Sequence, residues 1–237
     1  MTQRHTMIAT HSAASSRRRL ALVTLLLGVA AALGGCALAD KPQRAAVYDF
    51  GPGEAPRARA SNPSPAALAP LALAEVEANP ALDSTALVYR LAYDNVQQLR
   101  PYAQTRWSMP PAQLLRQRLR AQLGLRRAVL NPGEGVVATT QAAGAGAGVR
   151  LLRVELEEFS QVFESAGHSA GLVRLRATVV QPSPAGESLL AQRVFSLQRP
   201  APSADAAGGV QALTLASDAA IAELDRWLQQ LPQSAAH

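Results

Sequence analysis

The sequence predicts an α+β body, a mainly antiparallel sheet with two amphipathic helices packed on it, preceded by a signal peptide and a Pro/Ala-rich spacer. Three observations carry this. Several segments alternate apolar and polar residues with strand period, among them Leu71–Glu77, Leu152–Leu156 and Val173–Val179. Two others repeat leucine with helical period, around Leu115–Leu123 and Leu213–Leu231. Before Leu71 the composition turns to Ala, Pro and Gly, which supports neither element.

Residues 1–35 have the parts of a secretion signal: Arg17-Arg18-Arg19, an apolar run from Leu20 to Leu33, then Gly34-Gly35. That run is shorter than the roughly 20 residues a membrane-spanning helix needs. Leu33-Gly34-Gly35-Cys36 resembles the lipobox of bacterial lipoproteins. The resemblance implies diacylglycerol on the Cys36 sulfur, cleavage before Cys36, and an N-acyl chain on the new terminus. Two or three acyl chains make an anchor stable where one does not. Cys36 is also the sole cysteine, so no disulfide can form within the chain. By the sorting behaviour of such lipoproteins, Ala37 at the second mature position resembles an outer-membrane address, with the protein on the periplasmic face.

The leader also explains the charge. The chain carries a formal +6, but four of its basic residues and no acidic one precede Cys36; the mature part holds 19 basic and 17 acidic side chains. A balance of +2 gives no reason to expect a nucleic-acid partner.

Residues 36–70 read as tether and spacer, with Pro52, Pro56, Pro63, Pro65 and Pro70 breaking regular structure and Val47–Phe50 as a strand-like island. The ordered domain is expected over 71–231, with a tail at 232–237. Leu71–Glu77, Ala86–Leu91 and Thr105–Ser108 read as strands. Ser108 is the expected N-cap of a helix with Pro110 and Pro111 in its first turn, Leu115, Leu119 and Leu123 on its apolar stripe, and Gly124 closing it. After Asn131-Pro132-Gly133 and the low-complexity run to Gly148, two alternating segments follow. Glu155 and Glu157 on one are expected to face Arg174 and Arg176 on the other, with Glu158 on the opposite face. A turn at Pro182–Gly186 leads to a strand from Leu189 to Leu197. A last helix carries Leu213, Ala220, Leu224, Trp227, Leu228 and Leu231 on one stripe and stops at Pro232, with Trp227 expected in the core.

Leu82–Arg90, the Arg106-Trp107 pair before a Pro-rich helix start, the Leu-repeat helix to Leu123 and the paired block 151–180 together resemble the ABC-type transport auxiliary lipoproteins, the PqiC-like group. The resemblance covers about Leu71 to Leu231 together with the lipobox. It implies an accessory role in MCE-type (mammalian-cell-entry domain) systems, which move phospholipids or related apolar solutes between membranes. The implied partners are an MCE-domain protein and an ABC permease and ATPase, with a homo-oligomer as an open alternative. Within the stretch, Tyr89, Arg90, Arg106 and Trp107 are the candidate interaction residues.

Two other classes compete: a structural envelope lipoprotein that tethers or scaffolds, and a periplasmic serine hydrolase. The hydrolase rests on Gly167-His168-Ser169-Ala170-Gly171, which matches the G-x-S-x-G elbow. The elbow needs a helix after the serine, whereas Leu172–Val180 alternates like a strand, and no histidine stands later except the terminal His237. The glycines are therefore expected to make a hairpin turn, with His168 and Ser169 solvated at its tip. No histidines or cysteines stand at metal-ligand spacing, and Gly144–Gly148 lacks the lysine of a phosphate loop. Hence no catalytic residue, metal or cofactor is expected beyond the lipid on Cys36.

Overall fold

The computed structural model describes residues 44–53, 68–134 and 149–232. The chain divides at Ala45; the unit before it lies almost wholly outside the described residues, and Cys36 with it. The unit from Ala45 onward is α+β. Its strands are β1 (Ala46–Tyr48), β2 (Leu71–Ala78), β3 (Ala86–Leu91), β4 (Asn95–Trp107), β5 (Val129–Leu130), β6 (Arg150–Ser165), β7 (His168–Ser183) and β8 (Gly186–Pro200). Its helices are α1 (Pro111–Gly124) and α2 (Ala206–Gln230).

All eight strands form one sheet. The long antiparallel ladders β6–β7 and β7–β8 make its larger half. Along the other edge of β6, β2 and then β3 run parallel to it in tandem, with a short helical turn at Pro80–Leu82 between them. β4 pairs antiparallel with β3, β1 adds to β4 in parallel, and β5 adds to β2.

β1 moves the start of the body upstream of Leu71. Val47 pairs with Arg106 and Tyr48 with Trp107, and the Phe50 ring is buried. Phe50, Trp107 and Phe159 form an aromatic cluster with ring centroids 5.6–6.1 Å apart. Arg118 on α1 donates to the Phe50 carbonyl at 2.8 Å. The island in the spacer is thus part of the sheet.

One face of the sheet carries the core. Val173, Leu175, Ala177 and Val179 of β7 are fully buried under α2, as alternation predicts. α2 packs on β6, β7 and β8, and approaches β7 so closely that a Cβ at Gly171 would stand 2.5 Å from the Leu213 backbone nitrogen. α1 packs on β2 and against α2, burying Leu114, Leu115, Leu119 and Leu123. Trp227 is buried edge-on to Phe195 at 5.7 Å.

Ser108 does not cap α1. The helix begins at Pro111 with Pro110 in the cap position and no side-chain cap bond, while the Ser108 amide donates to the Tyr48 carbonyl at 2.7 Å. α2 does have a side-chain cap, since Asp205 accepts from the Gly208 amide at 2.8 Å.

Polar contacts tie α1 and the turn after it to α2. Arg118 meets Asp218 at 2.9 Å and Arg127 meets Asp225 at 2.7 Å, while Arg126 donates to Gln229 at 3.0 Å. Burial pushes the Arg127 guanidinium below the ordinary arginine value, and Asp225 pulls it back up.

Candidate interaction surface

The four candidate contact residues sit on neighbouring strands, Tyr89 and Arg90 on β3 and Arg106 and Trp107 at the end of β4, but they do not converge on one site. Trp107 is 1% exposed and belongs to the core, so it is corrected from contact residue to packing residue. An indole in that position bridges β1, β4 and β6, which favours burial over display.

Arg90 is turned inward as a clamp. Its Nε and Nη2 donate to Glu158 at 3.3 and 3.1 Å, and Nη1 donates to the carbonyls of Val96 and Gln97 at 3.1 and 3.3 Å. A guanidinium with its fork filled this way ties β6 to the β3–β4 hairpin. Tyr89 packs on Tyr102 at 4.7 Å and edge-on to Phe163 at 5.8 Å. Arg106 alone of the four is exposed, beside Val47 in the β1–β4 register.

Beneath Tyr89 lies a polar link that alternation could not show. The Tyr102 hydroxyl donates to Gln161 Oε1 at 2.9 Å, and the fully buried Gln161 donates from Nε2 to Ser169 Oγ at 2.8 Å and to the Asp205 carbonyl at 3.1 Å. One amide therefore joins β4, β6, β7 and the cap of α2. Burial, then the charges of Tyr89 and Asp205, push the Tyr102 phenol up to about 12.

This arrangement corrects the reading of Ser169 as a solvated tip residue. The turn of the hairpin is at Ala166-Gly167, and His168 already belongs to β7. Ser169 is buried, opposite Phe163 in the ladder, and held by Gln161. Turn followed by strand is the reverse of the strand–turn–helix that a nucleophile elbow requires. His168 turns to Ser165, with Nδ1 at 3.2 Å from its Oγ.

Glu158 is corrected as well. The ladder pairs Leu156 with Leu175 but Glu158 with Arg174, so Glu157 is a bulged extra residue that resets the alternation. Glu158 thereby joins Glu155 on the face away from the helices. Arginines meet all three carboxylates: Arg176 donates to Glu157 at 2.7 Å and stands 3.7 Å from Glu155, and Arg90 holds Glu158. Ion pairing accounts for this cluster. Among the described residues no group of three or more His, Cys, Asp or Glu could hold a metal, and no helix is long and apolar enough to cross a membrane.

The exposed features lie elsewhere. Tyr93 and Val96 flank the tip of the β3–β4 hairpin, and Leu189, Leu190 and Val194 lie on β8. β8 is the longest sheet edge, paired on one side only. Its sequence signal was present, since Leu189–Leu197 reads as a strand, but which strand is outermost follows from pairing.

The fold and the site together define a class: a sheet with two helices on one face, whose polar clusters are engaged in internal contacts. The chain belongs to the ABC-type transport auxiliary lipoprotein component family, whose model it matches over residues 48–225. That match begins at Tyr48 of β1, in keeping with its place in the sheet. No curated protein matches the chain. Among solved structures it is similar to protein XCC0632 from Xanthomonas campestris, assigned there to a family called DUF330, at 20% identity and TM-score 0.56, covering 70% of this chain and 88% of that one. It is also similar to an uncharacterized protein at 16% identity and TM-score 0.53, covering 78% of this chain and 99% of that one. At these identities the likeness concerns the fold.

Proposed function

We propose that this chain is the lipid-anchored auxiliary of an MCE-type ABC system that moves phospholipids or related apolar solutes across the periplasm. Diacylglycerol and an N-acyl chain on Cys36 hold it in the outer membrane, facing the periplasm, and the folded body docks the MCE-domain protein or the permease and ATPase assembly. The observation that carries this reading is the family match over residues 48–225, joined to Leu33-Gly34-Gly35-Cys36 upstream of it. The body's polar clusters support a binding role, because Ser169, Glu155, Glu157 and Glu158 are each engaged in internal contacts.

The test is purification of the chain from membranes of its own organism, with identification of the proteins and lipids that accompany it. Recovery of an MCE-domain protein together with an ABC permease or ATPase supports the proposal. Recovery of the chain alone, or with envelope scaffold proteins only, moves the function to a structural tether.

A further inference from the structure

We infer that β8 is a docking strand, which takes an extended acidic segment of a protein partner as a further antiparallel or parallel strand of the sheet. The inference rests on the reading above that the body binds a protein partner, and it names the surface and the chemistry of the segment.

β8 spans Gly186–Pro200 and is paired with β7 along its length, from Ala170↔Pro200 to Ser183↔Gly186. Among the described residues no strand lies beyond it. Every second residue of an edge strand turns its N–H and C=O outward, so a strand of this length is a long template for backbone pairing. Folded proteins usually shorten or cover such an edge. Here the one irregularity is a bulge where Val179 pairs with Ala191 and Val180 with Leu189, near one end. From Ala191 to Pro200 the ladder is regular.

Charge selects the occupant. Arg193 and Arg199 lie on β8 with the parity of Phe195 and Leu197, so both stand on the helix side of the sheet, at its rim. Neither has a carboxylate partner among the described residues: Arg193 lies over the Phe195 ring at 5.1 Å and Arg199 donates to the Gln198 carbonyl. The one acid of β8, Glu187, is taken by Arg153 at 2.9 Å. The regular stretch of the edge is therefore cationic. Opposite charges on adjacent strands attract and like charges repel. A second copy paired antiparallel over the whole strand would set Arg193 against Arg193 and Arg199 against Glu187, whose carboxylate is already held by Arg153; sedimentation separates that occupant from an acidic segment. Strand addition of this kind draws affinity from the backbone and specificity from side chains.

The probes are fluorescent synthetic peptides that alternate Val or Thr with Glu, a version with Lys for Glu, and a version of the acidic peptide with Pro at alternate positions. Each is titrated by anisotropy against the mature full-length chain carrying Cys36→Ser. The Glu peptide should bind about tenfold more tightly than the Lys peptide, the opposed charges at Arg193 and Arg199 each contributing part of that factor. The Pro peptide should not bind, since it cannot pair its backbone. The double variant Arg193→Glu/Arg199→Glu, with its fold checked by circular dichroism, should reverse the preference. Equal binding of Glu and Lys peptides, undiminished binding of the Pro peptide, an unchanged preference in the double variant, or no binding by folded protein would each overturn the inference. Concentration-dependent dimerisation in sedimentation, lost in Val194→Pro, would replace it with a second copy as occupant. None of these needs the transport partner, so failure here leaves the proposed function standing, and failure of co-purification leaves this titration to be judged alone.

Discussion

Replacing Asp225 with alanine should destabilise the body more than any other single surface-accessible change to α2. Asp225 is one fifth exposed, but its partner Arg127 is only 6% exposed and 2.7 Å away. Without the carboxylate the guanidinium stays in a site that already pushes its pKa down by burial, and Gln229 loses the acceptor it holds at 2.9 Å. Breaking a fully buried pair from one side costs about 3–5 kcal/mol. The water that reaches Asp225 reduces this to roughly 2–3 kcal/mol. For a domain of this size that is a fall in Tm of about 4–12 °C. Urea unfolding of the mature chain with Cys36→Ser, followed by circular dichroism, reads it. The companion variant Arg127→Met/Asp225→Leu removes both charges and should recover most of the loss, because well-packed apolar residues can replace a buried pair. A loss below about 1 kcal/mol in Asp225→Ala, or a double variant no better than the single, would refute the reasoning.

Phe50→Ala should cost about 3–5 kcal/mol in the same unfolding assay, because it removes a core ring; a neutral result would return residues 46–50 to the spacer. Ser169→Ala should cost about 1 kcal/mol by taking an acceptor from buried Gln161, with no change in hydrolysis of simple esters; ester hydrolysis lost in the variant would revive the enzyme reading. The Tyr102 phenol has its value raised from 10.0 to about 12 in the fold, so the protonated form is favoured there. Its contribution is fully present below pH 10 and is lost as pH rises toward 12. Urea midpoints over that interval should fall less steeply in Tyr102→Phe than in the parent, and equal slopes would contradict the assignment. Cys36→Ser should abolish incorporation of labelled palmitate and leave the precursor uncut; label on the serine variant would sink the tether.

Local periodicity made much of this fold legible. Val173–Val179 and the α2 stripe show their buried face in the spacing of apolar residues alone, whereas β2 does so only to Leu73, because a register shift before Val76 moves its buried face from odd to even positions. β1 was harder, because three residues are too few to display a period and the prolines around them argue for a spacer. Most of β4 was hidden for another reason. Its first ten residues are largely polar and include Pro101, tolerated there because β1 covers only Thr105–Trp107 and leaves that edge open. Glu158 shows a third limit: strict alternation fails at a bulge, and nothing in Glu157 announces one.

The candidate site was less legible than the fold. Arg90 stands out in sequence as a charge in an apolar segment and Trp107 as one of two tryptophans, yet each is used internally, one by Glu158 and two carbonyls, the other by Phe50 and Phe159. Gln161 does not stand out, although it joins four elements, because a lone amide carries no spacing signal. The ion pairs from α1 and the turn after it to α2 join residues about a hundred positions apart, so neither segment alone predicts them. The parallel pairing of β2 and β3 with β6 is equally non-local.

The most direct test of the central claim is a pull-down between the mature chain carrying Cys36→Ser, purified without lipid, and the MCE-domain protein encoded in the same genome. The folded chain should bind it in both detergent and lipid-containing buffer. Leu119→Asp, which places a charge at a fully buried position of α1, should abolish that binding. Absence of binding by demonstrably folded protein would contradict the account and leave a passive envelope lipoprotein.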